Sequence, residues 1–94
     1  MKIEQLARVK GTLSIIVVLH EESLLNSTTI INRISESRDT FYRAIKRLRD
    51  MGVVERLIMN QSVDGLGDRE LMVWRLTDKG KKIASLLDAI QQLL

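Results

Sequence analysis

Ninety-four residues, 45% hydrophobic and 29% charged, describe one small domain, because chains divide at roughly 100–200 residues per unit. That excludes a multidomain enzyme. The 15 Lys and Arg exceed the 12 Asp and Glu, a formal net charge of +3, which suggests an anionic partner without identifying one. Cysteine is absent, excluding a disulfide framework, a thiolate zinc site and a Cys nucleophile. The longest apolar run, Ile15 to Leu19, is far short of the about 18 residues that a membrane span needs. No charged-then-apolar leader is seen, so the expectation is a cytoplasmic chain with no membrane partner.

Taken in order, residues 2–10 place Ile3, Leu6, Ala7 and Val9 at the spacing of a short amphipathic helix. Gly11 breaks the chain, and Thr12 is expected to cap a helix over 12–21 that is apolar almost all round and therefore central. A short apolar piece, Ser23 to Leu25, precedes Asn26 and Ser27, alternative caps for a helix carrying Ile30, Ile31 and Ile34. Ser35, Glu36 and Ser37 form a polar turn. A third helix runs from about Arg38 to Met51 and stops at Gly52.

Beyond Gly52 the pattern changes to strand composition over 53–59, then a polar stretch over 60–69, then a second strand over 70–76 that pairs back on the first. In that strand Met72, Trp74 and Leu76 alternate with Leu71, Val73 and Arg75, so one face meets the helices and the other is at least partly wet. Thr77 caps a last helix. Along it Ile83, Leu86, Leu87, Ile90, Leu93 and Leu94 recur three and four apart, close to a coiled-coil seam. Left bare, that stripe would be an apolar patch that monomers seldom tolerate, so the helix is expected to form a homodimer interface.

The basic excess has an address. Between Arg38 and Arg49 lie five basic residues (Arg38, Arg43, Lys46, Arg47 and Arg49) and one acid, Asp39; the remainder is slightly acidic. At about 100° per residue, Phe41, Ala44, Ile45 and Leu48 share one side of this helix, with Asp39, Arg43, Lys46 and Asp50 opposite and Tyr42 and Arg47 flanking. Arg43, Lys46 and Arg47 suit phosphates or guanine edges; Thr40 and Tyr42 suit base methyls or backbone oxygens. A helix, a tight turn and a second helix with a basic face is the helix-turn-helix arrangement, in which the second helix enters the major groove of DNA.

Two stretches, SRDTFYRAIKRLRDMGVVER over 37–56 and WRLTDKGKKIASLL over 74–87, resemble the winged helix-turn-helix regulators of the multiple-antibiotic-resistance-regulator (MarR) type and their small archaeal and archaeal-viral relatives. The resemblance covers the chain from about Gly11 to its end. It implies an α+β, mostly α fold, with a winged-helix core over 12–76, a two-stranded wing and a C-terminal dimerisation helix over 77–94 within one domain, 1–94. It also implies sequence-specific binding of double-stranded DNA by a homodimer that regulates transcription. Ser37, Arg38, Thr40, Tyr42, Arg43, Lys46 and Arg47 match recognition-helix positions.

The wing departs from the family pattern: residues 60–70 hold Asp64, Asp68 and Glu70 against Arg69 alone, which leaves Arg69 as the one candidate for a minor-groove contact. The acidic wing is either folded away or serves a protein partner; the alternative to DNA binding is a winged-helix protein-interaction module with the acidic wing and the terminal apolar stripe as its contact surfaces. Lys79, Lys81 and Lys82 crowd the start of the last helix, as phosphate contacts or as solubilising charge. His20, the one histidine, has only the adjacent Glu21 and Glu22 beside it, so no metal is expected. No nucleophile-elbow glycine motif or phosphate-cradling glycine loop accompanies it, so neither an enzyme nor a cofactor is expected. A small-molecule effector is left unknown.

Overall fold

The stretch that is apolar on nearly every side becomes the central helix. In the computed structural model, which describes residues 3–63 and 67–94 with the side chains of 61–69 left aside, the order is α1 (Ile3–Ala7), α2 (Thr12–Glu21), α3 (Ser27–Ile34), α4 (Arg38–Asp50), β1 (Val54–Val63), β2 (Gly67–Leu76) and α5 (Asp78–Leu93). Helix α2 touches every other helix and β2. It buries Ile15, Ile16, Val18 and Leu19, which join Ile30, Phe41, Ala44, Ile45, Leu48, Val53, Val54, Trp74 and Leu76 in one hydrophobic core.

The start of α2 differs from the expectation. Gly11, not Thr12, occupies the capping position, with φ 92° in the left-handed region, where a side chain would be strained. Thr12 is buried, and its hydroxyl points back rather than forward: it donates to the carbonyl of Leu6, with that of Val9 3.1 Å away. The hydroxyl expected to cap α2 instead ties α1 to α2 across the turn, because a buried hydroxyl must find a partner and the carbonyls at the end of α1 need a donor. Thr12→Val keeps the shape and removes the donor, and is expected to cost about 1–3 kcal/mol in urea unfolding.

Helix α3 begins at Asn26, whose side chain accepts from the backbone N–H of Thr29, and ends at Ser35 with φ 55°. The turn predicted over 35–37 is therefore a tight left-handed corner. Arg33 fastens α3 to the end of α2 through Glu21 and Glu22, each at 2.7 Å. Helix α4 starts at once, capped by Ser37.

The wing is longer than its composition suggests. Strands β1 and β2 pair antiparallel from Val54↔Leu76 to Val63↔Gly67, so the ribbon continues through the polar residues expected to be loop. Ladder hydrogen bonds require only backbone groups, and they override weak strand propensity here. At the ribbon's base Trp74 exchanges backbone hydrogen bonds with Leu25, and its indole N–H donates to Ser27 Oγ at 2.9 Å. Val73 is buried as well as Trp74 and Leu76, while Arg75, on the same face as Val73, is exposed, so that second face of β2 is covered only in part.

The lead-in to α5 is fixed from two sides. Thr77 caps the helix by accepting from Gly80 N–H at 3.1 Å, while its hydroxyl donates to Gly52 O. Its own N–H donates to Val53 O at 3.0 Å. Gly80 is buried against that same carbonyl. Helices, a tight turn and a two-stranded ribbon in this order form a mostly helical winged helix-turn-helix fold.

Candidate nucleic-acid interface

Helix α4 divides by side as its sequence period dictates. Phe41, Ala44, Ile45 and Leu48 are buried, and this apolar side seats the helix on the core. Arg38, Asp39, Tyr42, Arg43, Lys46 and Arg49 are exposed on the remainder, with Thr40 and Arg47 half-buried. Of the cations in the described ion pairs, Lys10, Arg33 and Arg75, none belongs to α4. The helix thus presents a cationic surface outward on a rigidly seated axis, and its diameter suits a major groove.

Local hydrogen bonds sort the small side chains of this surface. Ser37 accepts from the backbone N–H of Thr40 at 3.1 Å and donates its hydroxyl proton to Thr40 Oγ1 at 2.9 Å. The hydroxyl of Ser37 thus both donates and accepts in starting the helix. Thr40, accepting from Ser37, keeps its own proton to donate. Tyr42 stands edge-on to buried Phe41, ring centroids 5.2 Å apart, so its ring direction is set by the core while the ring is half exposed.

The other candidates separate. Arg69 pairs with Gln61 in the ribbon register, but its side chain lies outside the described residues. Lys79 is no free cation: its ammonium donates to Met51 O at 2.7 Å, at the end of α4 where helix carbonyls favour positive charge. Lys81 and Lys82 are exposed, as is His20 at the end of α2. Among the described residues no group of His, Cys, Asp and Glu could hold a metal ion, and no helix is long and apolar enough to cross a membrane.

Two cations that the sequence reading passes over stand beside α4. Arg8 and Lys10, in the turn between α1 and α2, line a cleft with Val9, Thr40 and Arg43. The fold brings them there through the left-handed corner at Gly11, whose position lies 3.6 Å from Thr40 and Ala44 for an added Cβ.

Comparison with solved structures decides the architecture. A MarR-family protein from Porphyromonas gingivalis W83 superposes with a TM-score of 0.72 at 18% identity, over 95% of this chain and 81% of that one. This is the MarR-type winged-helix fold. The transcriptional regulator SlyA gives a TM-score of 0.72 at 25% identity, over 95% of this chain and 58% of its own. The reduced form of the transcriptional regulator YodB from B. subtilis gives 0.71 at 18%, over 93% and 79%. No family model matches the sequence, and no curated protein is similar to it. The MarR-type order explains the Leu76-Thr77-x-x-Gly80 lead-in physically: Thr77 caps α5, and Gly80 leaves room for the Val53 carbonyl.

The stripe on α5 is split by this fold. Ile83 and Leu87 are half-buried against the chain's own core, so that part is covered from within. Leu86, Ile90, Leu93 and Leu94 stay exposed, Leu86 at 67% and Leu93 at 87%. Viewed down the axis, Leu86, Ile90 and Leu93 extend the buried arc to one side, while Leu94 lies past the helix as its C-cap.

Proposed function

We propose that this chain is a sequence-specific double-stranded DNA-binding transcription regulator that acts in the cytoplasm as a homodimer, with α4 in the major groove. The observation that carries the reading is the outward cationic face of α4, seated by Phe41, Ala44, Ile45 and Leu48 and opened by the capped corner at Ser35–Ser37. Arg38, Thr40, Tyr42, Arg43, Lys46 and Arg47 are the contact residues, and Arg69 is the wing's candidate. The regulators of like fold support the assignment. Selection of bound sites from random duplex tests it. Enrichment of a two-fold symmetric site, with affinity falling steeply as salt rises, is expected. Equal retention of all sequences, or of none, sinks the proposal.

Dimerisation is assigned to the surplus apolar arc of α5, Leu86, Ile90, Leu93 and Leu94, with Ile83 and Leu87 at its inner edge. Burying such a patch against a second copy removes it from water, and the two-fold symmetry would place two α4 helices one DNA turn apart. Light scattering at micromolar concentration is expected to give twice the chain mass, and Leu86→Glu with Ile90→Glu to give the monomer. A single-chain mass for the unsubstituted protein contradicts the assignment.

A second reading draws on the wing, where Ile58, Met59 and Met72 are exposed at 62%, 44% and 52%. An apolar ribbon favours a protein partner over DNA. A stable heteromer that covers α4 and excludes duplex would favour that reading.

A further inference from the structure

We propose that the cleft between the α1–α2 turn and the N-terminal half of α4 is a phosphate site, in which Arg8 and Lys10 grip one backbone phosphate of duplex DNA beside the face of α4. The site rests on the duplex-binding reading and adds to it residues that lie outside the recognition helix.

The cleft has a volume of about 360 Å³ and is lined by Arg8, Val9, Lys10, Thr40 and Arg43. Cations from two segments far apart in sequence converge there with a hydroxyl that has a proton to donate. The guanidinium groups offer forked donors and the ammonium a point charge, the combination that a phosphodiester takes. Two acids stand near: Asp39 is one helical turn before Arg43 on α4, and Glu36 Oε2 lies 3.5 Å from Lys10 Nζ. Lys10 keeps 76% of its side chain exposed in that pair, and an ion pair this open is worth little. A phosphate therefore meets an ammonium that Glu36 orients without neutralising the cleft.

The turn is held firmly enough to act as a fixed clamp. Thr12 bonds back to Leu6 and Val9, and the left-handed Gly11 packs so near α4 that an added Cβ would touch Thr40 and Ala44, so the backbone that carries Arg8 and Lys10 is set with respect to α4. A helix lying in a groove has phosphates along its flanks. Because the cleft shares Thr40 and Arg43 with the outward face of α4, a duplex on that face brings its backbone to the cleft. A protein carboxylate could satisfy the same donors, but it would not bring the continuous charge that the rest of α4 matches.

The test compares the full chain with Arg8→Ala/Lys10→Ala on the selected duplex and on a scrambled duplex, each over a salt series. The double variant is expected to flatten the slope of log affinity against log salt by about 1. At 0.1 M salt it should lose roughly fivefold to tenfold in affinity, by the same factor on both duplexes, with its melting temperature kept because both side chains are exposed. An unchanged slope and affinity overturns the site. So does a loss confined to the selected duplex, which marks base contacts instead. If the unsubstituted protein retains neither duplex, the DNA-binding reading itself falls and takes the site with it, a pattern distinct from failure of the clamp alone.

Discussion

Gly80→Ala is expected to destabilise the fold by roughly 3 kcal/mol or more, against the rule that alanine favours a helix over glycine by about 1 kcal/mol. Gly80 lies in the first turn of α5, buried, and a Cβ there would sit 2.0 Å from the carbonyl oxygen of Val53. That oxygen is backbone and cannot swing aside. It also accepts from Thr77 N–H, so moving it breaks the joint between the end of α4 and the start of α5. In a chain of this size the change should lower the melting temperature by roughly 10–25 °C. Gly52→Ala is the matched control: φ is 73° there, but nothing lies within 4 Å of an added Cβ. Its cost is that of the left-handed backbone alone, about 1–2 kcal/mol. A neutral or stabilising Gly80→Ala in urea unfolding would mean that α5 is not pressed on Val53 as described.

How far such features can be read in advance depends on whether they are periodic. Helix α4 and its two sides were legible because burial of Phe41, Ala44, Ile45 and Leu48 follows the helical repeat. Thr77 was legible because a cap is local chemistry. Thr12 was misread, since a hydroxyl before an apolar run caps a helix unless a buried carbonyl claims it, and that claim comes from Leu6, which only the fold brings near. The strand pairing of Leu25 with Trp74 involves a lone bridge and leaves no period to detect. Wing length was hidden for a different reason: backbone pairing extends the ribbon through Asn60 and Glu70, whose side chains argue for loop. Arg8 and Lys10 carry no pattern at all, and their place beside Arg43 is a product of the corner at Gly11.

The α4 surface itself makes the other large prediction. Arg43→Ala and Lys46→Ala are each expected to weaken binding of the selected duplex by about 1–3 kcal/mol, and the double variant by roughly a hundredfold or more. Both side chains are exposed and lie one helical turn apart, so neither substitution removes packing, and thermal unfolding should move by no more than about 0.5 kcal/mol. The two contact types leave different traces. A side chain on a phosphate is lost with a salt slope about 1 unit shallower and an equal penalty on every sequence, whereas one on a guanine edge is lost with relaxed preference at one base pair. Arginine's fork suits the guanine edge and lysine's point charge the phosphate, so Arg43→Ala should relax the selected motif and Lys46→Ala should flatten the salt dependence. Unchanged affinity in the double variant, with the fold intact, would show that this face does not meet DNA and would leave the apolar wing at Ile58 and Met72 as the surface with a partner to find.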